Sequence, residues 1–151
     1  MKVVDGDIIE MAVQGEFDVL VYGTNCFGMM EQGLAASIKN AFPEAWEADQ
    51  ITVAGDKGKL GLYTQAEIKR HGIHIIVVNA YIQYDYRGEG NVDYEAVQQV
   101  FCRIQKEFHG LRIAYPFIGT GLGGGDWLLI GPIIERALQG EDHTLVRFLE
   151  G

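Results

Sequence analysis

Basic side chains are scarce in this chain. Twelve Lys and Arg stand against 21 Asp and Glu, a net charge of −9. Phosphate contacts along a duplex need clustered cations, so a long nucleic-acid duplex is not an expected partner. An anionic small molecule remains open, provided that backbone N–H groups receive it. Cysteine is scarcer still. Cys26 and Cys102 lie far apart and do not form the dense framework of a secreted mini-domain. No apolar run approaches the ~18 residues of a membrane span. In the opening MKVVDGDIIEM, Asp5 and Asp7 interrupt what would be a signal peptide's apolar stretch. These absences point to a soluble, reducing, cytoplasmic setting.

The composition that remains is globular. Hydrophobic residues make up 48% and charged residues 22% of 151 positions. Disorder, collagen and coiled coil are excluded as descriptions of the whole chain. The length suits a single domain over residues 1–151, with a core that needs no disulfide or structural metal.

Glycine is the unusual count: 20 residues, about twice the average share. Gly23, Gly28 and Gly33 fall in one window. Gly119, Gly121, Gly123, Gly124 and Gly125 fall in another. The apolar run Val19–Tyr22 leads into the first window, and Leu34, Ile38 and Phe42 follow it at helical spacing. Pro43 then stops or bends that helix. Ile73–Val78 is β-branched and almost wholly apolar, the strongest strand signal in the chain. Asp93 is placed to cap a long helix carrying Val97, Val100, Phe101, Ile104 and Phe108, which Gly110 closes. Arg112–Ile118 reads as a strand entering the second window. Asp126 caps a further helix that Pro132 should bend or restart. Thr144–Leu149 closes the chain as a strand. Buried strands alternating with amphipathic helices predict an α/β/α sandwich around a mixed, mostly parallel sheet.

Both windows follow a strand and precede a helix. In such sheets ligands bind outside the carboxyl ends of the strands. Two glycine loops facing each other there can bring backbone N–H groups onto a diphosphate without a lysine. Neither loop is a Walker A motif. Gly119, Gly121 and Gly124 give GxGxxG, but without the βαβ unit and ribose acid of a dinucleotide fold. The four histidines, at positions 71, 74, 109 and 143, show no metal-ligand spacing. His71 and His74 are expected at the surface. Cys26 sits close to a helix start, a place that lowers thiol pKa values, but no histidine base is nearby in sequence. Tyr81, Tyr84, Tyr86 and Tyr94 are candidates to wall a crevice or to form a partner surface.

The segments GDI at Gly6–Ile8, TNC…G…G from Thr24 to Gly33, and PFIGTGLGGGDW at Pro116–Trp127 resemble a macro domain, the ADP-ribose-binding module, over essentially the whole chain. Within that family the chain is most similar to the branch with ADP-ribose 1″-phosphate phosphatases, which includes short bacteriophage proteins. The resemblance implies that Asp7 accepts from the adenine amino group and that the backbone of Ile8 reaches the ring. It places the terminal ribose on Asn25 and the diphosphate on Gly33, Leu34, Gly119, Gly121, Leu122, Gly123 and Gly124. Phe148 could line the adenine pocket or pack in the core. No cofactor or metal is implied, and a monomer is expected, in the host cytoplasm if phage-encoded.

The departures from the family matter as much. Glu31 and Gln32 stand where small residues are usual, and an acid beside a diphosphate is unfavourable unless it turns outward. Ala35 and Gly123 occupy positions where de-ADP-ribosylating branches carry acids. No lysine follows the central strand, and Tyr22 replaces a histidine of the yeast-type phosphatase. Two functions remain open. One is a phosphatase in which water attacks the terminal phosphate while Asn25 and loop N–H groups hold the developing charge, with Asp126 as a possible base or only a helix cap. The other is a non-catalytic reader or sink for ADP-ribose or an NAD-derived relative. Asp7→Ala is expected to affect ligand binding far more than stability.

Overall fold

The computed structural model describes residues 1–87, 91–121 and 123–148. In chain order the elements are β1 (Lys2–Asp5), α1 (Ile8–Val13), β2 (Val19–Asn25), α2 (Gly33–Ala41), α3 (Pro43–Gln50), a 3₁₀ turn (Lys57–Lys59), β3 (Tyr63–Arg70), β4 (Ile73–Gln83), α4 (Tyr94–Glu107), β5 (Arg112–Tyr115), α5 (Trp127–Ala137) and β6 (Asp142–Arg147).

The strands form one sheet in the order β1-β6-β5-β2-β4-β3. Every neighbouring pair is parallel except β3 with β4. That exception is a hairpin turned at His71, which has φ 52°, and Gly72. Both sheet faces are covered. Along β2, Val19 and Val21 enter a core shared with α4 and α5, while Leu20 and Tyr22 enter one shared with α1, α2 and α3. The period-two alternation of strand side chains therefore fills two hydrophobic layers, and every residue from Val19 to Tyr22 is buried. This is the three-layer sandwich expected from the sequence.

Three local expectations are corrected. The sequence shows only short apolar pieces, Lys2–Val4 and Ile8–Ile9, around a turn at Asp5-Gly6-Asp7, whereas Ile8–Val13 forms a helix, α1, whose N-cap is Asp7. Pro132 does not restart α5, for the helix runs unbroken from Trp127 to Ala137. The proline is the sixth of eleven helix residues, so one interior backbone bond is lost without ending the helix. Gly110 lies two places beyond the α4 cap, Phe108, and turns the chain with φ 84°.

The carboxyl ends of β1, β6, β5, β2 and β4 all lie on one side of the sheet. At the usual strand spacing they span about 19 Å. The two glycine loops leave β2 and β5, which are neighbours in the sheet, on this side.

Candidate functional site

A crevice of about 340 Å³ opens between the two glycine loops. One wall is the end of β2 and the start of α2: Tyr22 to Asn25, Met29, and Glu31 to Ala35. The other is Pro116 to Gly119 with Gly121. Gln83 and Tyr86, beyond β4, close one end. Among the described residues no Lys or Arg lines it, and the one ionisable carboxylate that does is Glu31.

The start of α2 is the main electrostatic feature. Helices α1, α4 and α5 are each capped by an aspartate side chain: Asp7, Asp93 and Asp126. Helix α2 begins after Gln32, which makes no side-chain cap, and Ala36 N–H is the first to bond back into the chain, to Gln32. The N–H groups of Gly33, Leu34 and Ala35 are thus left to the crevice that these residues line. Gly33 has φ 59°, and a Cβ built on it meets nothing within 4 Å. The positive end of the α2 dipole adds to these donors.

The second loop is folded on itself. Gly125 N–H donates to Gly119 O at 2.7 Å, and Gly124 N–H to Gly121 O at 3.0 Å. Gly119 and Gly124 have φ of 75° and 67°. A side chain at Gly123 would meet Gly119 O and Gln83 Oε1, both at 2.9 Å. At Gly121 the space is open and φ is not left-handed. Gly119 and Gly121 line the crevice. Gly123 is buried behind it, Gly124 is exposed, and Leu122 lies outside the described residues.

Asn25 is buried at the crevice edge. Its Oδ1 accepts from Phe27 N–H at 2.9 Å and Met29 N–H at 3.4 Å, and its Nδ2 donates to Met29 O at 3.0 Å. The amide shapes its own loop, and its second N–H has no partner among the described residues. Asp7, Ile8 and Phe148 lie away from the crevice lining, past the ends of β1 and β6. There Gly6 N–H donates to Arg147 O, which holds Phe148 beside the Asp7 turn. Phe148 is 69% exposed, so it does not pack in the core. Ile8 is buried in the core. Asp7 is exposed, and its Oδ1 accepts from Ile9 and Glu10 N–H at 3.0 and 3.2 Å.

Other candidates sort differently. Glu31 turns toward Lys39, with Oε1 to Nζ at 3.1 Å. Asp126 caps α5 through Leu128 N–H. Of the four tyrosines only Tyr86 lines the crevice. Tyr94 Oη accepts from Asp126 N–H, Tyr84 Oη donates to Gly55 O, and Tyr81 is buried. Cys26 is fully buried, and burial raises its thiol pKa, against the lowering expected near a helix start. His71 and His74 are exposed as expected. Among the described residues no group of His, Cys, Asp and Glu is arranged to hold a metal.

Sequence reasoning missed a polar chamber beneath the first loop. Tyr22 Oη donates to Asn79 Oδ1, and Asn79 Nδ2 donates to Ala45 O at 2.9 Å and to Thr64 Oγ1 at 3.0 Å. Tyr81 Oη donates to Asp49 Oδ1 at 2.7 Å, and Lys59 Nζ to Thr52 Oγ1 at 2.9 Å. Burial raises the Asp49 pKa, while Tyr81 and Lys59 oppose the shift. Burial also pushes the Tyr22 hydroxyl well up. Asp49 Oδ2 and Thr24 Oγ1 are buried without partners among the described residues. The chamber and its surroundings hold the loop from below. Gln50 Nε2 donates to Gly28 O at 3.0 Å and Gly55 N–H to Cys26 O at 2.7 Å. No local pattern announces this, because Asp49 and Tyr81 lie far apart in sequence.

No family model matches the chain. Its likeness to solved structures is nonetheless end to end. The macrodomain of Thermus aquaticus DarG superposes with a TM-score of 0.71 over 99% of this chain and 97% of its own, at 23% identity. Thermosipho africanus DarTG in complex with ADP-ribose superposes with a TM-score of 0.71 over 99% of this chain and 42% of that one, at 21% identity. The fold is that of a macrodomain. By sequence, the chain is 31% identical over 142 residues to an uncharacterised 17.5 kDa protein of the tk-vs intergenic region of Enterobacteria phage T4, covering 89% of this chain and 88% of the phage protein. It is 26% identical over 148 residues to the DNA ADP-ribosyl glycohydrolase of Thermus aquaticus, covering 92% of this chain and 38% of that protein. The chain belongs to the same family as the phage protein. Among the described residues no helix is long and apolar enough to cross a membrane.

Proposed function

We propose that this chain binds ADP-ribose, or a phosphorylated relative, along the carboxyl ends of the sheet. The carrying observation is the uncapped start of α2. Three N–H groups and a helix dipole face a crevice that has no cationic side chain among the described residues. Such a site suits a diphosphate, held by amides on one wall and by the Gly119–Gly121 backbone on the other. Adenine lies toward Asp7, Ile8 and Phe148 at the β1–β6 edge. The terminal ribose lies toward Asn25, Gln83 and Tyr86. The solved DarTG complex with ADP-ribose supports the ligand class.

The chemistry proposed is hydrolysis of ADP-ribose 1″-phosphate. Water oxygen bonds to phosphorus, the P–O1″ bond breaks with its electron pair on O1″, and O1″ takes a proton. The products are ADP-ribose and inorganic phosphate. The remaining N–H of Asn25 and the loop amides would hold the developing charge. Glycosidic cleavage, as in the named activity of the Thermus relative, finds less support, because Ala35 and Gly123 supply no carboxylate. A reader without turnover is the second reading, favoured by the use of Asn25 within its own loop.

Calorimetry with ADP-ribose, followed by an assay of phosphate release from its 1″-phosphate, tests both. Binding with release supports the phosphatase. Binding without release selects the reader, and no binding removes both.

A further inference from the structure

Just outside the crevice at its β4 end, one residue past the lining residue Tyr86, stands a cation that the diphosphate does not need. Arg87 follows Tyr86, and its guanidinium carbon lies 5.3 Å from the Tyr86 ring centroid and 5.7 Å from that of Phe27. Phe27 in turn stands edge-on to Tyr86 at 6.0 Å and to Tyr84 at 5.0 Å. Asp85 grips the guanidinium in two places: Nε donates to Oδ1 at 3.0 Å and Nη2 to Oδ2 at 2.9 Å. A guanidinium has five N–H donors. Asp85 takes two, and the other three have no partner among the described residues.

The arginine is therefore oriented by two rings and a carboxylate while most of its donors stay open. Holding the fork in place lowers the entropy lost when it meets an anion. The hydrogen bonds from Arg87 hold the Asp85 carboxyl down to about 2, so the pair stays charged at any working pH. Among the described residues the only charged side chain of the crevice lining is the negative Glu31. A cation at this end suits an anionic group beyond the terminal ribose, one that the α2 amides do not serve.

We infer that Arg87, mounted on Phe27 and Tyr86 and clamped by Asp85, selects ligands that carry a phosphate on the terminal ribose over ligands that end in a free hydroxyl. The inference rests on the crevice reading proposed above and names a specificity residue within it.

The test compares dissociation constants for ADP-ribose and ADP-ribose 1″-phosphate in the wild type, Arg87→Gln and Arg87→Lys. Where phosphate is released during the titration, KM replaces the dissociation constant. The wild type should prefer the phosphorylated ligand. Arg87→Gln should weaken that ligand about fivefold, as for a partly exposed charge pair, and leave ADP-ribose within about twofold. Arg87→Lys should recover part of the preference, since it keeps the charge and loses the fork. A wild type that binds both ligands equally overturns the inference and leaves the crevice reading standing. An Arg87→Gln variant that weakens both ligands alike, or neither, also overturns it. A wild type that binds neither ligand overturns the crevice reading and this inference together.

Discussion

Asp7 has one role that the structure shows and one that is proposed, and a single substitution separates them. Its Oδ1 caps α1 by accepting from Ile9 and Glu10 N–H. The proposed role is to accept from the adenine amino group, which falls to Oδ2. Asp7→Ala removes both. Losing the cap should cost about 0.5–2 kcal/mol of stability. For a chain of this size that lowers Tm by roughly 2–4 °C per kcal/mol. The cap thus narrows the gap expected from sequence, where stability was to change far less than binding. Losing the adenine contact should cost about 1–3 kcal/mol of binding, roughly fivefold to above a hundredfold in affinity. Asp7→Asn is the sharper probe. An amide has one oxygen, which cannot serve both the helix and the adenine, and its NH₂ is a donor facing donors on either side. If the oxygen stays on the helix, stability holds and binding falls. If it turns to the ligand, the reverse follows. Thermal unfolding and calorimetry with ADP-ribose, run on both variants, read the two roles separately. An Asp7→Asn variant with wild-type stability and wild-type affinity would refute the adenine assignment.

Three further outcomes are expected. Gly121→Val should fold as the wild type, since its Cβ meets nothing within 4 Å and φ is not left-handed, yet it should abolish binding by filling the crevice; full ADP-ribose binding by the folded variant would make this loop a mere connector. Glu31→Gln should tighten ADP-ribose binding by about twofold to fivefold at low salt, a small effect because Lys39 already pairs with the carboxylate; a weaker affinity would instead give Glu31 a ligand contact. His143 is buried against Tyr115, and burial, followed by the Met1 ammonium, lowers its pKa from 6.5, against the opposing pull of Glu135, Asp142 and Glu141. The unfolded chain then takes up the proton first, so this contribution to stability is present above about 6.5 and is lost as pH falls toward the lower folded value. Urea unfolding of the wild type and His143→Gln between pH 5 and 7 should show a slope in the former that the latter lacks.

What the sequence reveals depends on whether the signal is local. The buried strands β2 and β4 are legible because four or more consecutive apolar residues fit a strand covered on both faces. Helix α4 is legible from its single stripe and its Asp93 cap. The facing of the two glycine loops follows from the position of both after parallel strands. Helix α1 was missed because six residues carry too few turns to show a period. Its cue was there, in Asp7 followed three places later by Glu10, the spacing of a capping box. The pattern GDKGKLG reads as a polar loop, whereas the Lys59 ammonium lies buried 5.1 Å from the Tyr81 ring centroid. That placement and the buried carboxylate of Asp49 come from tertiary contacts, and nothing in GDKGKLG encodes them. For Phe148 the sequence leaves open the adenine pocket and the core, since alternation cannot place a residue just past the end of a strand.

A chain with a charge of −9 that binds a diphosphate should respond to salt in an unusual way. A lysine-lined site loses affinity steeply as salt rises, because side-chain cations release counterions or are screened. In this crevice the attraction comes from amide hydrogen bonds at contact range and from about half a charge at the start of α2. The repulsion comes from Glu31 and from acids spread over the surface, which act at longer range. Raising ionic strength from 0.01 to 0.1 M shortens the Debye length from about 30 to about 10 Å. Long-range repulsion is screened first, and contact hydrogen bonds hardly at all. ADP-ribose affinity should therefore stay level or rise slightly over that interval. ADP-ribose 1″-phosphate, with its extra charge on the exposed Arg87 fork, should lose affinity over the same interval, so the two curves converge. Isothermal titration at four or five salt concentrations measures both. A steep fall for ADP-ribose would mean that a cationic side chain, not the backbone, receives the diphosphate, and the placement of the ligand on α2 would fail.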